Sequence, residues 1–254
     1  MILEAYIWAL SKAVPGARKA GLVHEVAGIA GRFQRWKAAW GNHLNNSRHL
    51  IATHILKADP NEPILVLGAG LGLDLPLEAL NAHKSGALLC DAVETPSLRK
   101  KLRGFDNLSF EAHDLTGLLA QFWDKENCDT ITPPRIAPVP LTGYSMVISC
   151  NILSQLPLSF ANSPPAGDTE TRLTVAVQQA HMLALKAMQC PALLITDYER
   201  RDTTAGETQL IPSVAPQLLP EKQIAKWDWP VAPIGELAKD REVILKVGAW
   251  LLRK

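Results

Sequence analysis

Pro63-Ile64-Leu65-Val66-Leu67-Gly68-Ala69-Gly70-Leu71-Gly72-Leu73-Asp74-Leu75-Pro76 is the stretch on which the fold turns. Five apolar residues run into alternating glycines, and an amphipathic segment follows. That order predicts a fully buried strand, a tight turn and a helix N-terminus, with a short helix over Leu75 to His83. Glycine suits a sharp turn that lets a ligand approach without Cβ atoms in the way. The dinucleotide fingerprint G-x-G-x-x-G wants glycine at position 73, but Leu73 stands there, and the glycines fall at 68, 70 and 72. From Asp59 to Leu80 there is no Lys or Arg, whereas Asp59, Glu62, Asp74 and Glu78 are acidic. An acidic turn suits a cofactor that carries positive charge better than a pyrophosphate.

Downstream, strand-like and helix-like segments alternate. Gly86 to Glu94, Asn107 to Asp114, Tyr144 to Asn151 and Ala192 to Asp197 read as strands. Thr95 to Arg103, Leu115 to Trp123 and about Thr169 to Gln189 read as helices, and Leu153 begins another short one. This rhythm predicts a parallel sheet with helices on both faces. Residues 124 to 143, with Pro133, Pro134, Pro138 and Pro140, read as a surface insertion. Ile224 to Trp229 and Glu242 to Leu252 read as a hairpin that places an antiparallel strand at one edge of the sheet. Upstream, residues 1 to about 57 read as helical. A long segment from about Arg32 to Lys57 carries Phe33, Trp36, Trp40, His43 and Ser47 on one face. Those aromatics either pack the segment onto the rest of the protein or cap a site, with Trp40, His43 and Arg48 facing a substrate.

Composition narrows the class. At 254 residues, 47% hydrophobic and 20% charged, the chain reads as one generous α/β domain with an extra subdomain. A net charge of +1 offers no general attraction to nucleic acid or anionic membrane. No apolar run approaches a bilayer span, and no signal peptide is read. Cys90, Cys128, Cys150 and Cys190 form no C-x-x-C pair and read as structural thiols of a reducing cytoplasm. His43, His49 and His54 lack a third metal ligand, so no metal site is expected.

In open parallel sheets ligands bind at the carboxyl ends of the strands. Asp91 ends the second strand, 91 − 68 = 23 residues after the first glycine, and either accepts a ribose hydroxyl pair or caps the helix near Thr95, with Glu94 as competitor. Asp114 ends the third strand and could accept from an adenine amine beside the Leu115 N–H, cap a helix, or both. Asn151 and Ser149 end the fourth strand where a transferred group would lie, with Gln155 one turn on; capping of the Leu153 helix is the other role open to Asn151. No G-x-S-x-G elbow or H-E-x-x-H occurs.

Val66-Leu67-Gly68-Ala69-Gly70-Leu71-Gly72, Asp91, Glu111-Ala112-His113-Asp114-Leu115 and Met146-Val147-Ile148-Ser149-Cys150-Asn151-Ile152-Leu153 together resemble the class I S-adenosylmethionine-dependent methyltransferases. The resemblance covers about residues 60 to 252. It implies a Rossmann-like, doubly wound, mostly parallel seven-stranded sheet with a reversed C-terminal strand. Residues 1–58 are then an N-terminal helical cap and 59–254 a cofactor-binding domain. It further implies S-adenosyl-L-methionine held by Gly68, Ala69, Gly70 and Gly72, with its ribose on Asp91 and its adenine beside His113, Asp114 and Leu115. Asn151 stands near the transferred group.

Two positions depart from that family. Val66 stands where it usually has an acidic residue for the methionine amino group, and Asp74 is placed to substitute. The fourth strand ends in Ser-Cys-Asn rather than N-P-P-Y, which argues against DNA adenine methylation. A small-molecule or protein side-chain acceptor is expected, closed over by the N-terminal helices, in the cytoplasm and away from nucleic acid and membrane. A hydroxyl acceptor would need a base; the candidates are His43, His181, and Asp197 or Tyr198 after the fifth strand. The alternatives are a non-catalytic methyltransferase-fold binding or assembly protein and an NAD-dependent oxidoreductase.

Overall fold

The computed structural model describes residues 2–120, 142–160 and 168–252. Residues 121–141, with Cys128, nearly all of the Pro-rich insertion and the last three residues of the helix expected over Leu115 to Trp123, lie outside them; Leu115 to Gly117 are turn and bend, and helix begins only at Leu119. Helix α1 (Ile2–Leu10) leads into strand β1 (Lys12–Ala13), then α2 (Leu22–Arg35) and α3 (Lys37–Ile55). There follow β2 (Ile64–Leu67), α4 (Leu77–Ala82), β3 (Ala87–Asp91), β4 (Val93–Glu94), α5 (Pro96–Leu102), β5 (Leu108–Ala112) and β6 (Met146–Cys150). Helix α6 (Asp168–Ala187) precedes β7 (Ala192–Thr204), β8 (Glu207–Pro212), β9 (Ala225–Ala232) and β10 (Arg241–Leu252).

The fold is mixed α/β around one mostly parallel sheet. Its order is β5-β3-β2-β6-β7-β10-β9, with β8 paired to β7 off that path. Strands β5, β3, β2, β6 and β7 run parallel, and β10 is antiparallel to both β7 and β9. Strand order reverses at β2, so the crevice beside it is where an open sheet binds ligands. Period-two alternation divides the core. Ile64, Val66, Ile148 and Ile195 face one layer with Trp40, Leu44, Ile51 and Ile55 of α3. Leu65, Leu67, Val147 and Leu194 face the other, with Leu173, Val177 and Leu185 of α6.

Several elements differ from the sequence reading. Among the described residues the sheet has eight strands, because β7 continues to Thr204 and turns into β8. Ala205 and Gly206 make that turn with φ of 51° and 87°, the doubly left-handed pair of a tight hairpin. The reversed strand is not at the edge: β10 is inserted between β7 and β9, and β9 is the edge. The long segment after Arg32 is two helices, broken at Trp36, whose φ and ψ of −122° and 32° are not helical. Helix α4 starts at Leu77, seven residues beyond Gly70, so no helix N-terminus meets the glycine turn. Leu156–Ser159 forms a 3₁₀ turn with Gln155 at its N-terminal boundary, so no helix starts at Leu153 for Asn151 to cap.

Among the described residues no helix is long and apolar enough to cross a membrane, and no cluster of His, Cys, Asp and Glu could hold a metal. Burial pushes the Cys90 thiol up to about 12, with Glu111 and Asp91 adding to the rise, and burial raises Cys150 well above its ordinary value. Both behave as small core hydrophobes.

Candidate binding cleft at the glycine turn

One cavity opens beside β2. Gly68, Ala69 and Gly70 form its floor, Asp91 and Asp114 stand on one side, and Asp74 and Asn151 on the other. Leu22, Val26 and Ile29 of α2, Trp40 of α3 and Trp229 of β9 close it.

The turn needs its glycines for different reasons. Gly68 has φ of 86°, and a Cβ there would stand 2.6 Å from the Cys150 carbonyl oxygen. Gly70 has φ of 48°, but a Cβ there would meet nothing within 4 Å, so it would project into open space. Gly72 is packed by Leu98 and does not line the cavity, and neither does His113. Beyond the turn, Arg48 Nε donates to the Leu73 carbonyl at 2.7 Å and Lys101 Nζ to that of Leu71 at 3.1 Å. These two cations are spent on holding the backbone; neither lines the cavity.

Asp91 is not a helix cap, because Thr95 accepts from the Leu98 N–H itself. Its Oδ2 accepts from the Gly70 N–H at 2.8 Å and its Oδ1 from Val93 at 3.1 Å, tying the end of β3 to the turn. Each carboxylate oxygen has room for a further donor. Burial pushes this carboxyl up, and the N–H groups of Gly70, Val93 and Ala92 pull against that rise. Glu94, the competitor, pairs with Arg99 at 3.1 Å outside the cavity. Asp114 lines the cavity and also caps locally, accepting from Thr116 and from the Leu119 N–H at 2.8 Å.

Asp74 is the best-supported carboxylate of the set. His43 Nε2 lies 2.9 Å from its Oδ1, off the linear N–H axis. His43 is fully buried and stacks on Trp229, centroids 3.9 Å apart and planes 2° from parallel. Trp227 Nε1 donates to His43 Nδ1 at 3.0 Å. Burial pushes the Asp74 carboxyl up, yet His43, then Asn151 and Arg48, outweigh it, and the net shift is downward. Asp74 therefore stays ionised beside the cavity.

Asn151 lines the same cavity with φ of 51°, a strained backbone for a non-glycine residue. Its Oδ1 and the Nε1 of Trp229 are both buried without a hydrogen-bonding partner. Of the residues expected as bases, only His43 adjoins the cavity, and it stands behind Asp74. Asp197 lies within β7, not after it; it is buried, accepts from Ser154, and burial raises its carboxyl. Tyr198 packs edge-on against Trp250, 6.1 Å between centroids. His181 is buried against Ser149, 2.9 Å away, and burial pulls it down to about 4. None of the three lines the cavity. Trp227 and Trp229 were missed from sequence, since strand alternation there does not tell which face meets α3.

No protein-family model matches the chain, and no curated protein does. Among solved structures it is similar to PKMT2 from Rickettsia typhi in complex with AdoHcy, at 14% identity and a TM-score of 0.33, over 55% of this chain. The chain spans about a fifth (21%) of that protein's length. It is similar also to a Burkholderia thailandensis 1,6-didemethyltoxoflavin-N1-methyltransferase with bound S-adenosylhomocysteine: 11% identity, TM-score 0.43, 93% of this chain and 91% of that one. A third is the glycopeptide N-methyltransferase MtfA complexed with S-adenosyl-L-methionine, at 12% identity and a TM-score of 0.35, over 80% of this chain and 92% of that one. Likeness at TM-scores below 0.5 assigns neither fold nor activity to this chain; its fold rests on its own strand order.

Proposed function

We propose that this chain is an S-adenosylmethionine-dependent methyltransferase acting on a small-molecule or protein side-chain acceptor. Residues 59–254 would form the cofactor-binding domain and 1–58 the cap over it. One observation carries the reading. The described residues lining the cavity include four carboxylates, Glu25, Asp74, Asp91 and Asp114, and no Lys, Arg or His. Such a lining repels a pyrophosphate and favours a ligand bearing a sulfonium and an ammonium. The helix that would receive a pyrophosphate is also displaced from the turn.

The residues present fit that cofactor. Asp74 would take the ammonium, in place of the acid absent at Val66, which is buried in β2. Asp91 would accept the ribose hydroxyls, Asp114 and Leu115 would flank the adenine, and the open space over Gly70 would admit the chain between them. The cofactor, when bound, supplies a methyl group on a positively charged sulfur. The protein's part is then to position the acceptor and keep water out. Trp40, Trp229, Val26 and Ile29 supply apolar walls, and the unpartnered atoms of Asn151 and Trp229 supply one acceptor and one donor. An anionic acceptor would find no cation among these residues.

A second reading is a non-catalytic binding protein of the same fold, favoured by the placement of Asp197, Tyr198 and His181 away from the cavity. Calorimetric titration with S-adenosylmethionine, S-adenosylhomocysteine and NAD separates the readings. Heat with the first two and none with NAD is expected. Asp74→Asn should weaken S-adenosylmethionine by about 1.5–3 kcal/mol, the range of a hydrogen bond to a charged group. Absence of heat with both adenosyl ligands at millimolar concentration would sink the cofactor assignment, and binding without turnover on any acceptor would favour the second reading.

A further inference from the structure

Helix α1 is apolar over its whole outer surface. Ile7 packs inward among Ala27, Ala30 and Leu71, and Glu4 turns to Arg35 at 3.4 Å. The remaining residues, Ile2, Leu3, Ala5, Tyr6, Trp8, Ala9 and Leu10, are all exposed, with Ile2 at 90% and Trp8 at 54%. A helix apolar all round ordinarily lies in a core or against lipid, and a contiguous apolar patch marks an interaction surface.

Cations gather at the C-terminal end of this helix. Arg18 donates to the carbonyls of Trp8 at 2.9 Å and Ser11 at 2.5 Å, with its guanidinium 5.5 Å from the centre of the Trp8 ring. Arg99 of α5 reaches the Leu10 carbonyl at 3.5 Å. Lys12, two residues past α1, is exposed, as are Arg18 and Lys19. The net charge of +1 over the chain conceals this local asymmetry.

We propose that α1 docks on an anionic lipid surface, with Tyr6 and Trp8 among the headgroups and Lys12, Arg18 and Lys19 facing the lipid phosphates. Tyr and Trp favour that boundary because each has an apolar body and a polar tip. Basic residues beside an apolar helix face add an attraction that salt screens. A second copy of the chain fits less well: the acids beside this face, Glu4 and Glu94, are already held by Arg35 and Arg99.

The test uses the full chain with vesicles of phosphatidylcholine alone or with phosphatidylserine. Sedimentation with the anionic vesicles only, lost at high salt, is expected, together with a blue shift of the Trp8 emission. The double variant Tyr6→Ser/Trp8→Ser and the double variant Lys12→Glu/Lys19→Glu should each lower the bound fraction at least about tenfold. Circular dichroism should stay unchanged, since these side chains are exposed. Failure to sediment with anionic vesicles, or equal binding by wild type and both variants, would overturn the proposal. So would dimerisation that the aromatic variant alone abolishes, which would assign the face to a second copy. Cofactor titration of the same variants is independent of every one of these outcomes.

Discussion

At His43 several partners converge on two ring nitrogens, and the Trp227 indole decides the role of one of them. An indole N–H can only donate, so the 3.0 Å contact from Trp227 makes Nδ1 an acceptor. The proton then sits on Nε2 and faces Asp74 at 2.9 Å. The Asn151 amide nitrogen lies 3.3 Å from Nε2 as well, and Asn151 helps to lower the Asp74 carboxyl. His43 is thereby a positioning residue for Asp74 rather than a base. Nitrogen-15 NMR should show the Nε2–H tautomer in the wild type. Trp227→Phe should let the two tautomers mix and weaken S-adenosylmethionine by about 0.5–1.5 kcal/mol, the net worth of one hydrogen bond. An unchanged tautomer in that variant would refute the relay. The sequence displayed His43 on a helix face with Trp40, but its role depends on Trp227, a residue 184 positions away that periodicity cannot join to it.

Among the elements, the glycine turn and its flanking strands were the most legible. Buried strands such as β2 and β6 announce themselves as continuous apolar runs, and both ladders to β2 are parallel as the alternation with helices required. Hairpin β7–β8 was not legible from hydropathy, because β8 is exposed along its length and has no buried face to set a pattern. Its only local sign was Ala205-Gly206, a weaker turn pair than Asn-Gly. The start of α4 was misplaced for a related reason: Leu75 and Pro76 extend the apolar pattern, but Arg48 and Lys101 hold the preceding carbonyls in irregular backbone. Two substitutions separate shape from space in the turn. Gly68→Ala should cost about 3 kcal/mol or more, combining left-handed strain with overlap on the Cys150 carbonyl. Gly70→Ala should cost about 1–2 kcal/mol from strain alone, yet reduce cofactor affinity by intruding on open space. Urea denaturation and calorimetry on the same pair check both parts; equal stability losses would contradict the geometry.

Across the whole molecule, Glu236 joins the helical N-terminal region to the far end of the sheet. Arg35 grips it with Nη2 at 2.6 Å and Nε at 2.9 Å, Trp36 Nε1 donates at 2.7 Å, and Arg32 adds a longer contact at 3.4 Å. The Arg35 and Trp36 hydrogen bonds outweigh burial and hold its carboxyl at about 2. A carboxyl whose folded value is depressed stabilises fully above its ordinary value of 4.5, and loses that contribution as pH falls through about 2. Glu236→Gln should therefore cost about 1–2 kcal/mol near pH 7, where Arg35 is half exposed and screened. The difference from wild type should shrink between about pH 5 and 2 in denaturant melts; a gap independent of pH would mean that packing, not charge, is lost.

The same clamp bears on how the chain comes together in time. Its partners are 201 positions apart for Arg35 and 200 for Trp36, so a very long loop must close before Trp40 can reach Trp229. Closing such a loop is entropically costly, and contacts this distant in sequence form late. Strands β7 to β10, paired through nearby residues, can collapse first and offer β9 as the surface on which α3 lands. The cleft is then among the last features to exist, and a folding intermediate would carry a sheet without a binding site.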